Sequence, residues 1–282
     1  MILITWNIQW CRGVDGVVDP RRIVDYARGM GDFDVLCLQE VARNYPGLDG
    51  SSGEDQFGLL AGLLPGFTAI EGVAVDVRAD GVRREFGNMI LSRLPVKQVY
   101  RHLLPYPCEP GVAGMPRIAV EAVVAAPFGD VRVITTHLEY YSPRQRMAQV
   151  DGLRTVYADG HAHARDATIT KDDGTPFQTF LRPKATIVTG DFNFEPDWPE
   201  HPRMLQPFAD ATPPLHDAWQ LVNPGAPHPS TFCIYQKTDP SGAELHCDFI
   251  FVNSDLAPHV RGIAVDQQTQ ASDHQPVIVT LA

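Results

Sequence analysis

Eight polar side chains stand at or beside the ends of short apolar runs. Asn7 follows ILITW, Glu40 follows VLCLQ and His137 follows VRVITT; Asp191 and Asn193 lie in TGDFN, Asp248 interrupts LHCDFIFV, and Asp273 and His274 are adjacent in SDHQP. Carboxylates hold hard divalent cations and orient water, while imidazoles and amides stabilise charge on a phosphoryl oxygen. Taken singly, each has an ordinary reading as a turn residue, a solvated strand end or a capped histidine. Taken together they point to one cleft, because residues at strand ends and in the following loops gather there in layered α/β proteins.

The spacing suggests how the work divides. If the strand through ATIV continues past Gly190, Asp191 and Asn193 point to one side and deliver a carboxylate and an amide together. Asp273 and His274, if extended, face opposite ways, so the histidine suits a base or electrostatic role while Asp273 faces a metal or its waters. Asp248 requires a partner within its apolar strand. His274 is the preferred one, with His246, two residues earlier on the same face, as competitor. Glu40 reads as the first ligand for Mg²⁺ or Mn²⁺ and Asn7 as a supporting contact. His137 suits donation to a phosphate oxygen in the transition state, and Arg117 suits a bidentate anion clamp.

The elements that must carry these residues follow from periodicity and punctuation. Strands are expected over residues 2–7, 34–39, 68–75, 88–92, 117–125, 131–136, 185–189, 245–252 and 276–281. Helices are expected over 20–30, opened by Pro20, over 56–64, and from a Ser142 cap to about 157, with a helical or turn-rich stretch over 202–222. Residues 159–184 read as a long loop that shapes substrate access, and 101–116 as a partly apolar rim. No linker divides the chain, so 1–282 reads as one layered α/β domain.

Composition narrows the chemistry further. A net charge of -11 argues against affinity built on neutralising a long phosphate track. Five unpaired-looking cysteines, at 11, 37, 108, 233 and 247, read as reduced thiols, with Cys37 and Cys247 buried, and favour a cytoplasmic location. The first residues read as a strand rather than a signal peptide, and no apolar run is long enough to span a membrane. The devices of P-loop, zincin and serine-hydrolase chemistry are missing. His161 and His163 read as part of a polar loop, and the Arg21, Arg22 and Arg83, Arg84 pairs as solvated faces.

As a set, TWNIQ (5–9), LCLQE (36–40), GNMILSR (87–93), THL (136–138), TGDFN (189–193), LHCDFIFV (245–252) and ASDHQPV (271–277) resemble the endonuclease/exonuclease/phosphatase superfamily, in its order and over almost the whole chain. The resemblance implies a four-layered α/β sandwich: two mostly antiparallel sheets face to face with helices outside. It implies Mg²⁺- or Mn²⁺-dependent hydrolysis of a phosphomonoester or phosphodiester by direct in-line attack of water. In that mapping Glu40 is the principal metal ligand with Asn7 beside it, and Asp273 supports the metal or its waters. Asp191 orients or deprotonates water, Asn193 positions it and contacts phosphate, and His137 stabilises the transition state. Asp248 orients His274, which binds the phosphoryl group. The THL sequence is closer to the phosphatase and sphingomyelinase branches than to the repair endonucleases. A monomer acting on a small-molecule or lipid phosphoester is the leading expectation; a nuclease and a non-catalytic binding module on the same scaffold are the alternatives.

Overall fold

The computed structural model describes residues 1–236 and 242–282. Among these described residues twelve strands form two six-stranded sheets. The first contains β1 (Ile2–Asn7), β2 (Val35–Arg43), β3 (Thr68–Ala79), β4 (Val82–Ser92), β11 (Val260–Val265) and β12 (Val277–Leu281), in the order β11-β12-β1-β2-β4-β3. The second contains β5 (Val96–Leu103), β6 (Ile118–Ala126), β7 (Gly129–His137), β8 (Thr186–Asp191), β9 (Leu215–Asp217) and β10 (Asp248–Asn253), in the order β5-β6-β7-β8-β10-β9. Pairing is antiparallel except at the centre of each sheet, where β1 runs parallel to β2 and β7 to β8.

Alternation along these strands builds the layers. In β1 and β2, Leu3, Val35 and Cys37 point between the sheets, where they meet Val120, Val133 and Ile187 of the second sheet. Their neighbours Ile4, Leu36 and Leu38 point outward onto α1 (Pro20–Met30) and α2 (Gln56–Leu63). On the far side, Ile134, Val188, Phe249 and Phe251 pack against α3 (Pro143–Asp166) and α4 (Glu200–Leu205). A short α5 (Ala218–Val222) follows β9. Central strands covered on both faces read as nearly continuous apolar runs, which is why the sequence reveals them. The layers are helix, sheet, sheet, helix, as expected.

Three strands escape sequence reading, and all three are sheet edges: β5, β9 and β11. Edge strands are half exposed and carry mixed residues, as VKQVYRHL does in β5. The helix from Ser142 also runs beyond Tyr157, to Asp166, so the expected loop over 159–184 is irregular only from 167. Gly160 is the reason the continuation is hard to read. A Cβ there would lie 2.1 Å from the guanidinium of Arg132, which rises from β7 and donates to the carbonyls of Val156 and Tyr157, each at 3.2 Å. The helix thus keeps a glycine to pass over a buried arginine, and His161 and His163 belong to it rather than to a loop. Among the described residues no helix is long and apolar enough to cross a membrane.

Candidate active site

The parallel central pairs end at the same rim of the sandwich. In the first sheet Asn7 pairs with Gln39, so the last residue of β1 stands beside Glu40. The β2–β4 register shifts between Leu38 and Val41, and Glu40 adopts a φ of 60°, a left-handed value that costs a non-glycine residue energy. This bulge turns the carboxylate out of the ladder. In the second sheet His137 pairs with Asp191, and Asp191 with Asp248, so three neighbouring strands present His137, Asp191 and Asp248 in one row. Gly190 permits that row. Its φ is 135°, and a Cβ there would sit 1.9 Å from the carbonyl oxygen of Thr136.

The two sheets are tied together at this rim. Asn7 Nδ2 donates to Glu40 Oε1 at 3.1 Å and to Asp191 Oδ2 at 2.9 Å, while Asn7 Oδ1 accepts from the backbone N–H of Gln9 at 3.1 Å. Its oxygen is thereby committed, and Asn7 acts as a tether between carboxylates of different sheets. The segment before β12 supplies the rest. The hydroxyl of Ser272 donates to Asn7 O at 2.8 Å, and Trp6 Nε1 donates to His274 O at 2.9 Å. His274 Nδ1 lies 2.9 Å from Asp248 Oδ2, and its Nε2 lies 3.7 Å from Asp191 Oδ2. His137 Nε2 approaches that same oxygen to 3.4 Å. Asp248 therefore takes His274 as its partner, and His246 instead bonds the carbonyl of Pro229 through Nδ1 at 2.6 Å.

Electrostatics separate the groups further. Burial, reinforced by Asp273 and Asp191, pushes Glu40 up to about 7. Burial also raises Asp273. His137 is driven down to about 3 by burial and by the guanidinium of Arg117, so it is neutral at physiological pH. His274 goes the other way: burial opposes its charge, but Asp248 and Asp191 raise it well above an ordinary histidine, so the ring is an imidazolium. One neutral and one charged imidazole thus flank Asp191.

Glu40, His137, Asp191, Asp273 and His274 line a cleft of about 500 Å³, walled on its apolar side by Trp10, Phe86, Met115, Tyr140, Tyr141 and Phe232, while Asn7 and Asp248 do not line it. Met115 belongs to the stretch read from sequence as a partly apolar rim. No residue of 159–184 is among those lining the cleft. Asn193 departs from expectation. The strand ends at Asp191, and Asn193 has a φ of 52° with its Nδ2 donating to Leu138 O at 3.0 Å; its backbone N–H donates to Asp191 Oδ1 at 2.9 Å. It lines the cleft and fixes the aspartate, but not by strand alternation.

Arg117 is buried rather than on the surface. Its Nε and Nη2 each lie 3.4 Å from Glu139 Oε2, and its Nη1 has no protein partner. Gln9 was legible only as part of the WNIQ segment. It donates Nε2 to Asp273 Oδ2 at 2.7 Å and leaves Oε1 without a partner. Cys247, expected to be a small buried residue, completes a candidate metal-coordinating group with Asp191 and His274, their ligand atoms within 4.8 Å of one another. Its thiol is raised well above the usual range by burial and by Asp191, which keeps it protonated.

Comparison with known proteins follows the same lines. The sequence profile of the Endonuclease/Exonuclease/phosphatase family matches residues 4–274. No curated protein matches the chain. Among solved structures, the chain is similar to the endonuclease/exonuclease/phosphatase from Beutenbergia cavernae DSM 12333 at 26% identity, covering 100% of this chain and 72% of that one, with a TM-score of 0.66. A mannosyl-6-phosphatase from Bacteroides thetaiotaomicron VPI-5482 shares 18% identity, with 100% and 99% covered and a TM-score of 0.64. A 3′ phosphatase from Neisseria, bound to a product DNA hairpin, shares 18% identity, with 100% and 99% covered and a TM-score of 0.61. The last two, at that identity, speak for the fold alone. With a profile running from β1 to His274 and a cluster of acidic, imidazole and amide groups at the ends of its central strands, the chain belongs to the endonuclease/exonuclease/phosphatase family and is a metal-dependent phosphoesterase.

Proposed function

We propose that the chain hydrolyses the phosphate ester of a small molecule or lipid, using Mg²⁺ or Mn²⁺ held at Glu40 and Asp273 and an attacking water held at Asp191. The observation that carries this reading is the convergence of the buried carboxylates Asp191 and Asp273 with the part-exposed Glu40, a local deficit of positive charge that adds to desolvation in raising Glu40 to about 7. A hard cation fits that deficit. The donors are carboxylate oxygens, and the orphaned Gln9 Oε1 adds a neutral one, whereas the thiol of Cys247 stays protonated. When bound, the ion supplies charge neutralisation on the phosphate.

The protein's own groups then divide the labour. Asp191, held by Asn7 and by the backbone N–H of Asn193, orients water and takes its proton as the new P–O bond forms. His274, kept protonated by Asp248, binds the equatorial phosphoryl oxygens, and neutral His137 donates a further hydrogen bond. Arg117 Nη1, a buried donor without a partner, suits the same anion, and Asn193 borders the phosphate from the cleft wall. The ester P–O bond opposite the water breaks, and its oxygen is protonated from solvent.

The apolar wall formed by Trp10, Met115, Tyr140 and Phe232 suits the organic part of a compact substrate. A nuclease reading would use the same aromatics as stacking platforms for bases. It is disfavoured because arginines close in the chain to the rim are already paired: Arg12 with Asp49 at 2.7 Å and Arg84 with Asp80 at 2.6 Å. Reading 1–282 as one domain agrees with the span of the family profile. Four of the five cysteines are buried, which supports, as a proposal, a reducing cytoplasm as the place of action; a monomer is proposed with it.

The test is hydrolysis with Mg²⁺, Mn²⁺ or EDTA across bis-p-nitrophenyl phosphate, p-nitrophenyl phosphate, sugar phosphates, a phosphoinositide, sphingomyelin and single-stranded and abasic DNA. Metal-dependent turnover of a small or lipid ester that disappears in Asp191→Asn is expected. Turnover confined to DNA would replace the substrate class, and metal-independent turnover would remove the reading.

A further inference from the structure

A second group of metal-capable side chains lies apart from the cleft. His201 of α4, Asp217 at the end of β9 and His228 of the loop after α5 bring their ligand atoms within 4.8 Å of one another, and none of the three lines the cleft. Both imidazoles aim Nε2 at a single carboxylate oxygen, Asp217 Oδ2: His201 at 3.0 Å and His228 at 2.7 Å. The other oxygen, Oδ1, accepts the backbone N–H of Trp219 at 2.8 Å and so fixes the carboxylate as the N-cap of α5.

We propose that His201, Asp217 and His228 form a second metal site, for one zinc-type divalent ion, which clamps the loop around His228 onto the second sheet. Two imidazole nitrogens and one carboxylate oxygen are a donor set for zinc, with water or another group in the fourth position. At Zn–N and Zn–O distances of roughly 2.0–2.2 Å, tetrahedral ligands lie about 3.3 Å apart. The two separations here, 3.0 and 2.7 Å, need to open by about 0.3 and 0.6 Å to reach that spacing. A small void of about 10 Å³ is lined by Asp217, His228, His246 and Asp248, and lies beside this group rather than between its three ligands, since His201 does not line it.

The surroundings suit such an ion. Phe249 and Phe251 lie 5.3 and 5.9 Å from His201, centroid to centroid, and Trp219 lies 6.0 Å from His228. These aromatic rings form an apolar side to the shell around the two imidazoles. The ring of His246 packs 4.5 Å from His228 and is held by Pro229 O, so His228 is set from both sides.

The clamp has a functional address. Three residues beyond His228, the hydroxyl of Thr231 accepts the backbone N–H groups of Cys247 and Asp248, at 3.1 and 3.2 Å. The next residue, Phe232, lies 4.5 Å from the His274 ring and lines the cleft. An ion at His228 would fix the segment that positions the Asp248–His274 pair without touching substrate. His201, Asp217 and His228 are thus positioning residues.

The test uses the full chain stripped of metal by a chelator and then titrated with Zn²⁺ against a chromophoric competitor, and separately with Co²⁺ followed by visible absorption. Wild type and Glu40→Gln are expected to take one tightly held Zn²⁺ and to show the intense bands of tetrahedral Co²⁺. His201→Gln should bind roughly 100-fold more weakly or worse. Zn²⁺ should raise the melting temperature of wild type and leave that of His201→Gln unmoved. Equal affinity in wild type and His201→Gln overturns the proposal, as does zinc lost with Glu40→Gln and kept with His201→Gln. Should His201→Gln fail to fold, His228→Gln takes its place. Wild type alone remains decisive, because failure to hold one Zn²⁺ or to give a tetrahedral Co²⁺ spectrum overturns the site.

Discussion

Two glutamates, one in each sheet, have opposite fates. Glu121 of β6 is fully buried, which by itself would raise its pKa. Its carboxylate, however, bonds His102, Arg132 and Arg182, with Arg132 Nε at 2.8 Å, and these pull it down to about 2. Glu40 of β2 is also desolvated; His274 pulls it down, but burial together with Asp273 and Asp191 outweighs that, and it rises to about 7. Its one neutral tether, Asn7, does not compensate. The difference teaches where function sits. A buried acid with surplus cations around it is finished within the fold, whereas one left among other acids needs a cation from outside.

The sharpest way to separate the two regions is to remove charge from each. Asp191→Asn is expected to lower kcat by about 10³-fold with the melting temperature essentially retained, because the carboxylate acts on the water rather than on the core. His274→Ala should lower kcat by a similar factor, about 10³-fold, through lost stabilisation of the phosphoryl oxygens. Circular dichroism and steady-state kinetics on the purified variants check both, and a folded variant with near-parental activity would break the assignment. At the other cluster, Glu121→Gln strands two buried guanidiniums and should cost about 3–5 kcal/mol in a denaturant titration. Whatever remains folded at 25 °C should keep its KM and kcat. Loss of activity without loss of stability there would collapse the distinction.

Legibility in the sequence follows the same division. Central strands, covered on both faces, announced themselves as apolar runs, and the polar residues that close them were the site: Asn7, Glu40, His137 and Asp191. The rule that a buried carboxylate needs a partner called for a histidine beside Asp248, but the choice of His274 over His246 is made only by the structure. What stayed hidden depends on tertiary context. The edge strands β5, β9 and β11 carry too mixed a pattern, and the continuation of α3 past Tyr157 depends on Arg132 filling the space above Gly160. The bulge at Glu40 and the left-handed turn at Asn193 are backbone conformations that no side-chain pattern encodes. His201, Asp217 and His228 come together from three elements without any ligand spacing that a motif search would find.

The smallest effect is the one that distinguishes the two glutamates by sign. In EDTA, with no cation at the cleft, Glu40 has a folded-state pKa near 7 against an ordinary value of 4.5. The folded state then binds the more protons, so this group costs stability progressively as pH rises from about 4.5 to about 7. Glu40→Gln removes that cost and should stabilise the metal-free protein by about 2 kcal/mol at pH 8. Glu121 runs the other way. Its folded pKa is depressed, so its contribution is fully present above about 4.5 and is lost as pH falls toward 2. Denaturant titrations of wild type, Glu40→Gln and Glu121→Gln across pH 4–8 should therefore show the wild-type-minus-variant difference falling with pH for Glu40 and rising, then levelling, for Glu121. Mg²⁺ should stabilise wild type and not Glu40→Gln, because an ion that binds only the folded cleft adds stability in proportion to its occupancy. Parallel pH slopes for the two variants would mean that Glu40 is compensated after all, and the cleft would lose its claim on a metal.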